Sequence, residues 1–125
     1  MESWVKLRHQ CSPLEVFLDL KEGSKSDVEE RNNLLKAGDS LLFKVKLHNG
    51  QAFSVIREGS PTWDVVRFSW DSSGIVVHDR EDKILAKATL TLTDEKICKL
   101  RMVDGSLELE PWQFRKRFLE GLFFP

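Results

Sequence analysis

Hydrophobic and polar positions follow two different periods along the chain, and the change of period near Asp39 divides it into a helical beginning, a long run of strands and a helical end. Ser12-Pro13-Leu14-Glu15 puts a hydroxyl at an N-cap, proline at the first helical position and glutamate three residues after the cap. That is a capping-box signature, so a helix is predicted to start there. Its apolar stripe runs through Leu14, Phe17 and Leu18 and resumes at Val28 and Leu35, with Gly23, Ser24 and Ser26 able to interrupt it and Gly38 as its stop. The same stretch also reads as a strand, because Leu14, Val16, Leu18 and Leu20 alternate with Glu15, Phe17, Asp19 and Lys21; helix is preferred. Upstream, residues 3–8 set Trp4 and Lys6 against Val5 and Leu7, the alternation of a short edge strand.

Beyond Asp39 the period is two, and strands are expected at 41–47, 51–57, 65–70, 75–78, 84–92, 96–103 and 107–109. Turn chemistry separates them: Asn49-Gly50, Gly59-Ser60-Pro61, Ser72-Ser73-Gly74, Glu81-Asp82, Thr93-Asp94 and Asp104-Gly105. In the first hairpin Leu41, Phe43, Val45 and Leu47 share a face, and the return strand offers Phe53 and Val55. A two-residue Asn-Gly loop would place these sets on opposite faces. A three-residue loop over His48, Asn49 and Gly50 pairs Val45 with Phe53 and Phe43 with Val55, with Gly50 in the left-handed position of a bulge.

Pro111 opens a last helix, to about Phe123. At about 100° per residue, Trp112, Phe114, Phe118, Leu119, Leu122 and Phe123 gather into an arc of about half the circumference, wide for a single contact. Arg115 falls inside the arc, and a buried guanidinium must reach water or meet a carboxylate. Either the helix lies on its own sheet with Arg115 at the rim, or part of the arc packs on a second copy with Arg115 paired across a homodimer interface.

Composition adds limits. A chain of 125 residues with 41% hydrophobic and 31% charged residues is an ordinary single globular domain, 1–125, without low-complexity segments or repeats. Nineteen basic and twenty acidic side chains leave a formal charge of −1, which disfavours a dedicated nucleic-acid binder. No leader-like or membrane-spanning stretch is visible, so a soluble, cytoplasmic protein is expected, with no membrane partner. On that basis Cys11 and Cys98 are expected as reduced thiols rather than a disulfide. Four tryptophans and eight phenylalanines without a tyrosine point to aromatics used for core packing.

Candidate chemistry is sparse. His9, His48 and His78 show no metal-ligand spacing, and no phosphate loop, nucleophile elbow or paired-cysteine zinc motif is present; no cofactor or metal is implied. His9 and Cys11 form a nominal nucleophile pair, but no local carboxylate or oxyanion donor accompanies them. The cluster from His78 through Asp82 reads as an exposed turn.

Residues 41–47 followed by His48-Asn49-Gly50 resemble the first hairpin of Sm-like small barrels, a likeness that implies RNA binding but assigns no residue. A longer pattern, from Asp27-Val28-Glu29-Glu30-Arg31-Asn32 through the strands to Pro111-Trp112-Gln113-Phe114-Arg115-Lys116, is similar to a small uncharacterised bacterial protein family. Seven strands followed by a helix carrying tryptophan also resemble the pleckstrin-homology-like layout, a binding scaffold, in element order.

The expected fold is therefore α+β, an antiparallel β-sheet or half-barrel of about six to seven strands flanked by an N-terminal and a C-terminal helix. The expected role is a non-enzymatic protein-interaction or accessory domain, with Trp112, Arg115, Lys116, Leu119 and Phe123 as its interaction surface and an unknown protein or a second copy as partner. Two alternatives stand beside it: a nucleic-acid or anionic-ligand module using Arg101 and the Arg115-Lys116-Arg117 cluster, and an enzyme whose site is assembled from distant residues.

Overall fold

Seven strands follow one another across a single open antiparallel sheet: β1 (Leu42–Asn49), β2 (Ala52–Glu58), β3 (Asp64–Asp71), β4 (Gly74–Asp79), β5 (Ile84–Leu92), β6 (Cys98–Met102) and β7 (Glu108–Leu109). Helices α1 (Trp4–Gln10) and α2 (Pro13–Asn33) precede the sheet and α3 (Pro111–Phe123) follows it, making an α+β fold. The computed structural model describes residues 3–59 and 63–125; apart from Gly59, the predicted Gly59-Ser60-Pro61 turn lies outside them.

Alternation selects the sheet face that is covered. Phe53 and Val55 of β2, Val66 and Phe68 of β3, Ile75 and Val77 of β4, Ala86 and Ala88 of β5 and Leu100 and Met102 of β6 are all buried beneath α2 and α3. Phenylalanines run through this layer as a chain of ring contacts: Phe17 to Phe53 at 5.4 Å, Phe53 to Phe68 at 5.1 Å, Phe68 to Phe114 at 6.2 Å and Phe114 to Phe118 at 4.9 Å between centroids. The expected use of aromatics in the core thus holds for six of the eight phenylalanines and for Trp70, which packs against the core beside Phe17, and fails for the other three tryptophans. Trp4, Trp63 and Trp112 are more than half exposed, and Trp70 uses its indole N–H to hold the Gly50 carbonyl at 2.7 Å.

Several local expectations are corrected. Residues 4–10 form a helix and not an edge strand, because Ser3 Oγ accepts the Lys6 amide at 3.1 Å and the sheet offers this segment no strand to pair with. A helix does begin after Ser12, but the Ser12 side chain makes no cap bond. The second helix continues through Gly23, Ser24 and Ser26, and it ends at Asn33 with Leu34 as its C-cap, well before Gly38. Its buried stripe is Val16, Leu20, Ser24 and Val28 with Phe17, a run of i to i+4 steps; Leu14 is exposed.

The first hairpin keeps its expected face and loses its expected register. Val45 pairs with Val55, Leu47 with Phe53 and Phe43 with Arg57, two residues away from the predicted pairing. The register shifts by one between Leu47 and Asn49, so a bulge at His48 absorbs the odd residue and a tight turn over Gly50 and Gln51 becomes compatible with both apolar sets sharing a face. Gly50 has no positive φ, and a Cβ there would meet nothing within 4 Å.

Cys11 and Cys98, 87 residues apart, form a disulfide with 5.4 Å between their Cα atoms, which overturns the expectation of two reduced thiols. Helix α2 packs on β1 to β4, whereas α3 packs on β2, β3, β6 and β7. The disulfide is therefore what ties the α1–α2 junction to the β6 side of the sheet.

Candidate functional site

Helices α2 and α3 lie side by side on the covered face and run in the same direction, since Arg115 meets α2 at Gly23 and Asp27 while Phe123 meets it at Arg31. A groove of about 340 Å³ separates their solvent-facing sides. It takes Asp27, Glu30, Arg31 and Leu34 from α2 and its cap, at helical spacing, and Trp112, Arg115, Lys116, Leu119, Glu120 and Phe123 from α3, with Phe124 closing one end. All five residues expected as an interaction surface, Trp112, Arg115, Lys116, Leu119 and Phe123, line this one groove.

Their burial separates them into floor and rim. Leu119 and Phe123 are buried and belong to the core, so only their edges reach the groove. Trp112 is 53% exposed, Leu34 66% and Phe124 63%, an apolar rim left uncovered around a partly apolar floor. The wide apolar arc of α3 is thus used twice: Phe114, Leu119, Leu122 and Phe123 face the sheet, and Trp112 faces the groove.

Ion pairs within the chain occupy most of the groove's charges. Arg115 Nε donates to Asp27 Oδ2 at 2.7 Å, and its side chain is only 18% exposed. The guanidinium lies across Gly23, where any Cβ would collide with Arg115 Nη1, so the glycine inside α2 makes room for this contact. Of the two escapes expected for Arg115, the carboxylate is realised within one chain, which removes the reason for pairing it across a dimer. Lys116 meets Glu120 at 2.9 Å. Arg31 Nε donates to the Phe123 carbonyl at 2.9 Å, with its guanidinium over the rings of Phe43 and Phe124 at 5.0 and 4.8 Å. Nearby, Arg57 Nη1 donates to the Leu122 carbonyl at 3.1 Å. These two arginines satisfy carbonyls at the C-terminus of α3, where the helix dipole favours positive charge. Among the groove's carboxylates, Glu30 has no ion-pair partner within the described residues.

The remaining sequence candidates do not converge. Arg101 lies between the buried Leu100 and Met102 and so faces the uncovered side of the sheet, opposite α3; it forms no common surface with Arg115, Lys116 and Arg117. The thiol of the nominal His9–Cys11 pair is consumed by the disulfide. Residues 78–82 form the expected hairpin turn, in which Asp79 Oδ1 accepts the amides of Glu81 and Lys83 at 2.9 Å each.

Sequence reading did not single out His48 and Ser54, whose Nε2 and Oγ lie 2.6 Å apart on the uncovered face. Ser54 is 3% exposed and no carboxylate orients His48 among the described residues, so the bond seats a buried hydroxyl. His78 is also away from the groove; burial first, then the charge of Arg67, hold its imidazole below the usual 6.5, in the neutral form. Asp104 is held below its usual value by the Ser106 hydroxyl and amide, in a turn also remote from the groove. Among the described residues no cluster of histidine, cysteine or carboxylate side chains could hold a metal, and no helix is long and apolar enough to cross a membrane.

Compared with known protein families, curated proteins and solved structures, the chain gives no significant match.

Proposed function

We propose that this chain is a non-enzymatic protein-interaction or accessory domain whose working surface is the α2–α3 groove. One observation carries the reading. Six of the eight phenylalanines are buried in the core, yet Leu34, Trp112 and Phe124 stand more than half exposed around a single groove whose cations are already engaged inside the chain. Rim tryptophans beside apolar floors are the usual anchors of protein recognition, whereas engaged arginines have little left to offer a phosphate. The element order that resembles pleckstrin-homology-like binding scaffolds supports the same reading.

The anionic-ligand alternative is weaker on the same grounds, because Arg101 and the α3 cations face different sides of the sheet. The Cys11–Cys98 disulfide favours action in an oxidising compartment over the cytoplasm expected from sequence, since lone disulfides persist poorly among reducing thiols. Affinity capture with the native chain and with Trp112→Ala, each washed at low and at high salt, tests the function. A partner kept at high salt by the native chain and lost by the variant is the expected result. A partner that salt removes and Trp112→Ala leaves unchanged would favour the phosphate-type alternative.

A further inference from the structure

Strand β1 is an edge of the sheet, and backbone directions show which of its groups are unpaired. In an antiparallel sheet the N–H and C=O of one residue point to the same side, and those of the next residue to the other. The Gln51 carbonyl accepts the Trp70 amide at 3.0 Å, so odd residues of β2 face β3 and the even ones, Ser54, Ile56 and Glu58, face β1. Their partners on β1 are Lys46, Lys44 and Leu42, which leaves Phe43, Val45 and Leu47 with both groups turned away from the sheet. Phe43 is closed off by α2: the Asn32 side chain accepts its amide at 3.0 Å and donates to its carbonyl at 2.8 Å. No described residue does the same for Val45 or Leu47, so two N–H and two C=O groups stand open, about 7 Å apart along the strand.

The side chains along this stretch differ between the two faces. Lys44 and Lys46 stand on the uncovered face, where Lys46 is exposed with no ion pair among the described residues and Lys44, half-exposed, meets Glu58. Val45 and Leu47 stand on the covered face, and Leu47 is 52% exposed. We infer that the edge of β1 receives an extended, acidic segment of another protein as an added antiparallel strand, its apolar side chains beside Val45 and Leu47 and its carboxylates beside Lys44 and Lys46. Open groups at strand spacing fit an extended backbone and not a helix, which uses its own groups internally. A second copy of this chain does not fit. The two-fold antiparallel register that engages Val45 and Leu47 of both copies sets Lys46 directly opposite Lys46, and one centred on Val45 sets Lys44 opposite Lys46. Lysines on an edge guard against pairing with a like strand; set opposite carboxylates, the same charges attract. The edge lies apart from the α2–α3 groove, so this surface is additional to the one proposed above.

Amide exchange of the full chain, with and without a peptide of about seven residues alternating valine and glutamate, tests the edge. At saturating peptide, exchange at Val45 and Leu47 is expected to slow about tenfold, while Lys44 and Lys46, already bonded to β2, keep their rates. In an antiparallel pair the groups that meet β1 belong to the residues directly opposite Val45 and Leu47, which are the valines. N-methylation of the valines should therefore abolish binding, and N-methylation of the glutamates should leave it. Lys46→Glu, at an exposed position, should weaken binding of the glutamate peptide about tenfold and admit a peptide in which lysine replaces glutamate. No slowing at millimolar peptide, binding that survives N-methylation of the valines, or equal binding of the lysine peptide by the native chain would overturn the inference. So would slow exchange at Val45 and Leu47 in the free chain that quickens on dilution, the mark of a second copy on the edge.

Discussion

The two ends of the helical layer are held by different chemistry. At the N-terminal end one covalent bond, Cys11 to Cys98, secures a helix that buries none of its residues. At the C-terminal end α3 is held by four buried apolar side chains, by Arg57 and Arg31 on its last carbonyls, and by Arg115 on Asp27. A single cross-link fixes position without burying surface, so α1 stays exposed. Distributed packing fixes shape, so the groove beside α3 is preformed.

Phe114→Ala should have the largest effect, about 4 kcal/mol of lost stability in urea unfolding, because the ring is fully buried between Phe68 and Phe118. A loss below about 1 kcal/mol would mean that α3 is not packed as described. Cys98→Ser comes next. Opening a cross-link that spans 87 residues should cost about 3 kcal/mol under non-reducing conditions, and amide exchange should show α1 losing protection before α3 does. Uniform loosening of both helices would erase the contrast between the two ends.

Arg57→Met keeps the volume and removes the donor to the Leu122 carbonyl, so about 1–2 kcal/mol is expected, with faster exchange confined to the last turn of α3. Ser12→Ala should change thermal stability by only a few tenths of a kcal/mol, because that hydroxyl makes no cap bond; a loss of about 1 kcal/mol would restore the capping box read from the sequence. Gly50→Ala, remote from both ends, should be the mildest, within about 0.5 kcal/mol, and a clearly destabilised variant would reinstate the left-handed glycine.

The helix starts show where sequence reading succeeds and why it stops. Ser12 has the full signature and no bond, whereas Gln113 Oε1 of α3 accepts the Glu110 amide at 2.9 Å without a serine, threonine or aspartate at the cap. Proline at the first turn is common to both and marked both starts correctly, because its fixed φ acts locally, while the side-chain bond depends on rotamers that packing selects. The bulge at His48 was invisible for a similar reason. Period-two alternation says which residues share a face but not which partner each meets, and one unpaired residue restores the face at a different register.

By itself the sequence determined the seven strands, the span of α3, the face shared by the apolar residues of the first hairpin and the placing of Trp112, Arg115, Lys116, Leu119 and Phe123 together on one helix, because all of these follow from short-range periodicity and turn chemistry. Only the tertiary structure decided that Cys11 reaches Cys98, that Arg115 crosses Gly23 to Asp27, that Arg31 and Arg57 hold the end of α3, and that α2 supplies the other wall of the groove. Each of those contacts joins residues tens of positions apart, and such separations leave no periodic trace in a single chain; they exist because the sheet seats two parallel helices side by side on one face.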